Sequence, residues 1–190
     1  MRIAQISAVL LCALTLALAA AGCGGGKSYT GAKPDVWAAT VCGALGTWAD
    51  GLKADSARLS SSIAGATDIK LVKTKFVAFL VTAERSSRTM VLRISGAGPP
   101  AVKDGTIIQQ QLVDGLSGAQ ASFARAISRA KNLSTADPKA FGKGVQALGG
   151  DVQKELTAVG DNFTKLGDKY KDGTLNKATS KEPSCAKISA

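Results

Sequence analysis

Four long stretches of this chain place apolar residues three and four positions apart, and that spacing constrains the fold more than any other feature. A step near 3.6 gathers such residues on one stripe of an α-helix, and the stripe must be buried against other elements. In the first stretch Trp37, Val41, Leu45, Trp48, Leu52, Leu59 and Ile63 keep this rhythm. Pro34 and Asp35 suit its start, and Ser60-Ser61-Ser62 with Gly65 suit its end. The second runs from Asp68, an N-cap residue, to Ser95, with Ile69, Val72, Phe76, Leu80, Ala83, Ser87, Met90 and Ile94 in step. Gly96-Ala97-Gly98-Pro99-Pro100 ends it, because proline cannot extend a helix and disfavours helical geometry before it.

The third stretch spans about Val102 to Asn132 on Ile108, Leu112, Leu116, Ala119, Phe123, Ile127 and Ala130, with Gly105 interrupting its first turns. The fourth has the clearest start: Asp137 as cap and Pro138 at the first helical position. Phe141, Val145, Leu148, Val152, Leu156, Val159, Phe163, Leu166 and Tyr170 follow, Gly149-Gly150 weaken the middle, and Gly173 marks the end. No useful length of sequence alternates with period two, so no sheet is expected. Four amphipathic helices on short loops predict an all-α, antiparallel up-and-down four-helix bundle over residues 34–173. Residues 174–190 read as a tail with one short turn near Leu175 to Ala178.

The length, 190 residues, suits one domain, and 45% hydrophobic residues suffice for a core. The chain has no histidine. It therefore lacks the commonest general base, the commonest metal ligand and the usual near-neutral pH switch.

The N-terminus is organised differently from the rest. Arg2 is followed by a run, Ile3 to Ala21, that is apolar apart from Gln5, Ser7 and Thr15, and Leu18-Ala19-Ala20-Ala21-Gly22 leads into Cys23. A charged n-region, an apolar h-region and a small-residue exit make an export signal over residues 1–22. A retained transmembrane helix fits less well with that exit and with Gly24-Gly25-Gly26. Ala20-Ala21-Gly22-Cys23 resembles a lipobox, the cleavage site of bacterial lipoproteins, although that class prefers Leu where this chain has Ala20. The resemblance implies cleavage before Cys23, diacylglycerol on its thiol, an acyl chain of the palmitate kind on its amine, and attachment to the outer face of the cell membrane. Two or three acyl chains give stable anchoring where one does not. Residues 23–33 then read as a lipidated cysteine with a flexible tether spanning roughly 17 Å on average. Beyond this, the mature part resembles only in general style the small Ala- and Gly-rich helical envelope lipoproteins of actinobacteria, many of which have no assigned role.

Of the four cysteines, Cys12 leaves with the signal and Cys23 takes the lipid, leaving Cys42 and Cys185. An even pair in an exported domain predicts a disulfide, the alternative being two separate buried thiols. The bridge agrees with the topology, since a fourth helix running up-and-down ends near the start of the first. Two cysteines without histidine do not suggest zinc.

Motif matches are weak. Ser128-Arg129-Ala130-Lys131 fits S-x-x-K, but the companion elements of serine–lysine enzymes are missing. Phe141-Gly142-Lys143-Gly144 lacks the first glycine and the hydroxyl residue of a phosphate loop. Asp151 and Glu155 share a helix face with Lys154 adjacent, which suits a solvated surface. Trp37 and Trp48 read as core residues first and ligand-stacking residues second.

The chain carries 24 basic and 14 acidic residues, and loss of Arg2 lowers the net charge from +10 to +9. The charges are dispersed, and an exported location argues against nucleic acid as partner. Anionic headgroups or an anionic wall polymer suit the excess. The expectation is a non-enzymatic binding or scaffolding domain without metal or cofactor, held on the membrane by lipid and open to a protein or polymer partner. The alternative is a small-ligand or lipid carrier with an interhelical cavity.

Overall fold

The computed structural model describes residues 28–170 and 173–188. The export signal, Cys23 and the first half of the tether lie outside the described residues. Six helices are formed among the described residues: α1 (Pro34–Ile63), α2 (Ile69–Gly96), α3 (Gly105–Lys131), α4 (Pro138–Lys169), α5 (Thr174–Lys181) and α6 (Pro183–Ile188). The four long ones pack as the up-and-down bundle, and no strand occurs among the described residues.

The helix starts follow local chemistry. Asp68 accepts a hydrogen bond from Lys70 N at 2.8 Å. Asp137 accepts from Lys139 N at 2.8 Å and Ala140 N at 3.3 Å, beside Pro138 at the first position. Each of these bonds satisfies an amide that has no partner inside its own helix. α1 has no side-chain cap, but Pro34 needs no amide partner there and Asp35 faces the positive end of the helix dipole.

Two boundaries differ from the sequence reading. α4 stops at Lys169 and Tyr170 forms its C-cap, three residues before Gly173. The tail is not a loop with one turn but two short helices, α5 and α6. Glu182 starts α6, accepting from both the amide and the hydroxyl of Ser184. Neither helix is long enough to stand alone in water, so packing on α1 supplies their order.

The chain enters the bundle at a fixed place. Ala32 pairs with the α2–α3 connection through Ala32 N to Pro99 O at 2.8 Å and Ala101 N to Ala32 O at 2.7 Å. The approach is close enough that only glycine fits at two points. A Cβ on Gly31, already at φ 144°, would overlap the Pro99 carbonyl oxygen, and one on Gly105 would overlap that of Pro100. Gly149 and Gly160, by contrast, lie on α4 with nothing within 4 Å of a Cβ. Alanine at Gly149 or Gly160 is expected to raise stability by about 0.5–1 kcal/mol each, whereas Gly31→Ala and Gly105→Ala lower it by more than that. Urea denaturation of the four variants checks the opposite signs.

The core has two parts. One surrounds Trp37, Val41, Met90, Ile94, Ile108, Leu112 and Leu116 at the end where the chain enters. The other surrounds Phe76, Leu80, Ala83, Phe123, Ala126 and Leu148 at the far end. Every residue of both lies between positions 37 and 175, so a chain beginning at Gly24 keeps the whole packed body. Each tryptophan of α1 carries its indole N–H to a buried partner. Trp37 Nε1 donates to Gln109 Oε1 at 2.8 Å and Gly98 O at 3.1 Å, and Gln109 Nε2 donates to Ile94 O at 2.7 Å. Trp48 Nε1 donates to Ser87 Oγ at 3.0 Å, and that hydroxyl donates to Ala83 O at 2.7 Å.

The bundle is not equally closed on all sides. α2 packs on α1 and α3, and α3 packs on α4, but α1 and α4 do not approach each other closely. α5 and α6 lie against α1 instead. The Cys42–Cys185 disulfide fixes them there, with Cα atoms 4.9 Å apart. The effect shows on α4. Only Phe141 and Leu148 are buried, while Val152, Leu156, Val159, Phe163, Leu166 and Tyr170 are half-buried along the same stripe. α3 and α4 are joined at the surface by the ion pairs Arg129–Asp151 and Arg125–Glu155. Both are solvent-exposed, and such pairs contribute about 0–1 kcal/mol.

Candidate functional site

The open seam between α1 and α4 forms a cleft of about 270 Å³. Trp37, Val41 and Leu45 of α1 make one wall, and Phe163, Leu166 and Gly167 of α4 the other. Ile108 and Leu112 of α3 form the floor. Leu175, Asn176 and Thr179 of α5, with both cysteines of the disulfide, border one end. The apolar side chains come from the helix stripes. They line a cleft and not a solid core because α4 does not pack closely on α1. Gly167 borders the cleft, is itself exposed, and a Cβ there meets nothing within 4 Å.

A second, wider space of about 750 Å³ adjoins it at the end where the chain enters. Ile108, Tyr170 and Leu175 border both spaces. The wider one is polar at its rim, with Lys103, Asp104, Asp168 and Lys169 around it and Tyr29 opposite. Lys169 Nζ lies 5.2 Å from the centre of the Tyr170 ring, a cation–π distance. The Tyr170 hydroxyl is the one buried side-chain polar atom among the described residues with no hydrogen-bond partner. A buried hydroxyl left unpaired costs about 1–3 kcal/mol.

The other candidates distribute plainly. Cys42 is buried, Cys185 is half-buried, and the two are bonded, so the alternative of separate thiols is set aside. Cys23 lies outside the described residues. Ser128 and Lys131 are exposed on the outer face of α3, where Arg129 pairs with Asp151. Asp151 and Glu155 are each engaged by an arginine of α3 and sit on the surface as expected. Phe141 is a core residue at the start of α4. No group of three His, Cys, Asp or Glu among the described residues is placed to hold a metal ion. No helix among them is long and apolar enough to cross a membrane.

Two carboxylates are held below the usual range, and neither borders the cleft. Glu84 is lowered by the hydrogen bond from Arg88 first and then by that from Gln120. Glu182 is lowered by the Ser184 hydroxyl and amide. Both shifts come from bonds that join or start helices, which marks them as structural.

Tyr170 was visible in the sequence only as a stripe residue, and Gly167 as a helical glycine that suits either close helix contact or the lining of a cleft. The usable signal was a phenol at the end of an otherwise aliphatic and phenylalanine stripe, where its hydroxyl needs a partner. No known protein family, curated protein or solved structure matches this chain.

Proposed function

We propose that this protein is a lipid-anchored envelope protein, held by Cys23 on the outer face of the cell membrane, whose helical domain binds rather than catalyses. The cleft between α1 and α4 is its binding surface. The observation that carries this reading is the half-buried stripe of α4, which leaves Phe163 and Leu166 facing Trp37 and Val41 across an open seam. Binding sites in bundles form between helices, on apolar walls with few polar groups. The dispersed excess of basic residues supports weak attraction to anionic headgroups or wall polymer. A second reading, a carrier for a small ligand or lipid that brings a polar atom to the cleft, is favoured by the unpartnered hydroxyl of Tyr170, a residue of the cleft wall.

Two measurements test the proposal. Metabolic labelling with a fatty-acid probe is expected to mark the wild-type chain and not Cys23→Ala, and equal labelling of both removes the anchor. Affinity capture from native membranes is expected to retain an envelope component on the wild type and lose it on Gly167→Leu, which fills the cleft. Equal retention by a folded Gly167→Leu would remove the cleft as the binding surface.

A further inference from the structure

From the two adjoining spaces and the Tyr170 side chain at their border, we infer that the cleft takes a single-chain amphiphile: one acyl chain between α1 and α4, with a neutral, oxygen-bearing glycerol head beside Tyr170. This rests on the cleft being the binding surface and adds the chemistry of its ligand.

Three observations lead there. The narrow space is walled by Trp37, Val41, Phe163 and Leu166, which favour an unbranched hydrocarbon over a polar group. Its volume, about 270 Å³, lies just below the usual range for a ligand site and suits one chain, not two. The wider space then accepts the head. Its rim holds two cations, Lys103 and Lys169, and two anions, Asp104 and Asp168, a balance that favours a head without net charge. Tyr170 borders both spaces, and its buried hydroxyl lacks a partner. An ester carbonyl or hydroxyl at the junction of chain and head would supply that partner once a turn of the Tyr170 ring brings its hydroxyl to the cleft, and a plain alkane would not.

The position in the molecule agrees. Tyr29 borders the wider space and stands six residues after Cys23. Six extended residues reach at most about 20 Å, so the mouth of the site lies near the bilayer from which a single-chain lipid would come.

The test uses the chain from Gly24 onward, titrated with monoacylglycerols of six to twelve carbons below their micelle concentrations. Trp37 lines the cleft, so intrinsic fluorescence reports occupancy. Affinity is expected to rise about tenfold or more for each two added methylenes until the chain fills the cleft, and then to level off. Tyr170→Phe is expected to weaken binding about two- to tenfold and to raise the melting temperature of the unliganded protein, because it removes an unpaired hydroxyl. A merely structural role for the hydroxyl predicts the reverse change in melting temperature. Gly167→Leu is expected to abolish binding with its helical circular dichroism intact.

No saturable binding by the wild type, affinity that ignores chain length, or unchanged affinity in Tyr170→Phe would each overturn the inference. If monoacylglycerols fail while capture from membranes still depends on Gly167, the ligand assignment falls and the binding surface stands. If both fail, the surface falls as well.

Discussion

Loss of the Cys42–Cys185 bridge is expected to cost this fold up to about 5 kcal/mol, a large part of the 5–15 kcal/mol that holds a typical domain together. The bridge joins residues 143 apart, so it closes a loop spanning nearly the whole bundle. In the chain-entropy account it acts on the unfolded state, removing conformations that an unlinked chain of that length would explore. The native state also gains. α5 and α6 are too short to persist alone, and Leu175, buried against the first core, stays there because α6 is fastened to α1 at Cys42, five residues beyond Trp37. Urea denaturation of the chain from Gly24 onward, oxidised and reduced, measures the total. The Cys42→Ser, Cys185→Ser double variant separates the bond from the reductant. Hydrogen exchange then locates the change. Amides of α5 and α6 are expected to lose protection at urea concentrations that leave α2 and α3 protected. A difference below about 1 kcal/mol between oxidised and reduced protein would show that helix packing alone holds the tail, and the role given to the disulfide would be wrong.

The long helices, their caps and the bridge were legible because each is set by local or countable features. Asp68 and Asp137 cap where their side chains can reach two residues ahead, a rule that needs no knowledge of the fold. The pairing of Cys42 with Cys185 follows once the other two cysteines are assigned elsewhere. What the sequence did not disclose depends on contacts between distant segments. Tail residues 174–188 carry few apolar side chains and read as a loop, yet they are helical because α1 gives them a surface. The seam between α1 and α4 likewise depends on how distant helices pack, so the candidate site could not be read from either helix stripe. Gly31 and Gly105 looked like a tether residue and a helix interruption. Their purpose, close approach to the Pro99–Pro100 carbonyls, appears only when the segment before α1 meets the α2–α3 connection.

Trp37→Ala is expected to destabilise the protein by about 3–5 kcal/mol, because this one side chain does two separate things. Its ring fills the first core at 5% exposure, and its truncation leaves a cavity among Ile94, Ile108 and Leu112. Its indole N–H is also the donor that satisfies Gln109 Oε1 and Gly98 O. Gln109 is one of three buried polar residues among the described residues, and its amide completes a chain from α1 through α3 to Ile94 O of α2. Trp37→Phe separates the two contributions. It keeps most of the apolar volume but leaves the Gln109 carbonyl without its donor, at an expected cost of about 1–3 kcal/mol plus a smaller cavity term. Gln109→Leu removes the acceptor and leaves the Ile94 carbonyl with one bond fewer. If the network is a unit, the double variant Trp37→Phe, Gln109→Leu loses less than the sum of the two single variants, since neither buried partner is then stranded. Chemical denaturation of the three variants and the wild type gives the coupling directly. Strict additivity would mean that Trp37 acts through volume alone. In that case its hydrogen bonds follow from packing, and the join between α1 and the α2–α3 end of the bundle would be apolar in origin.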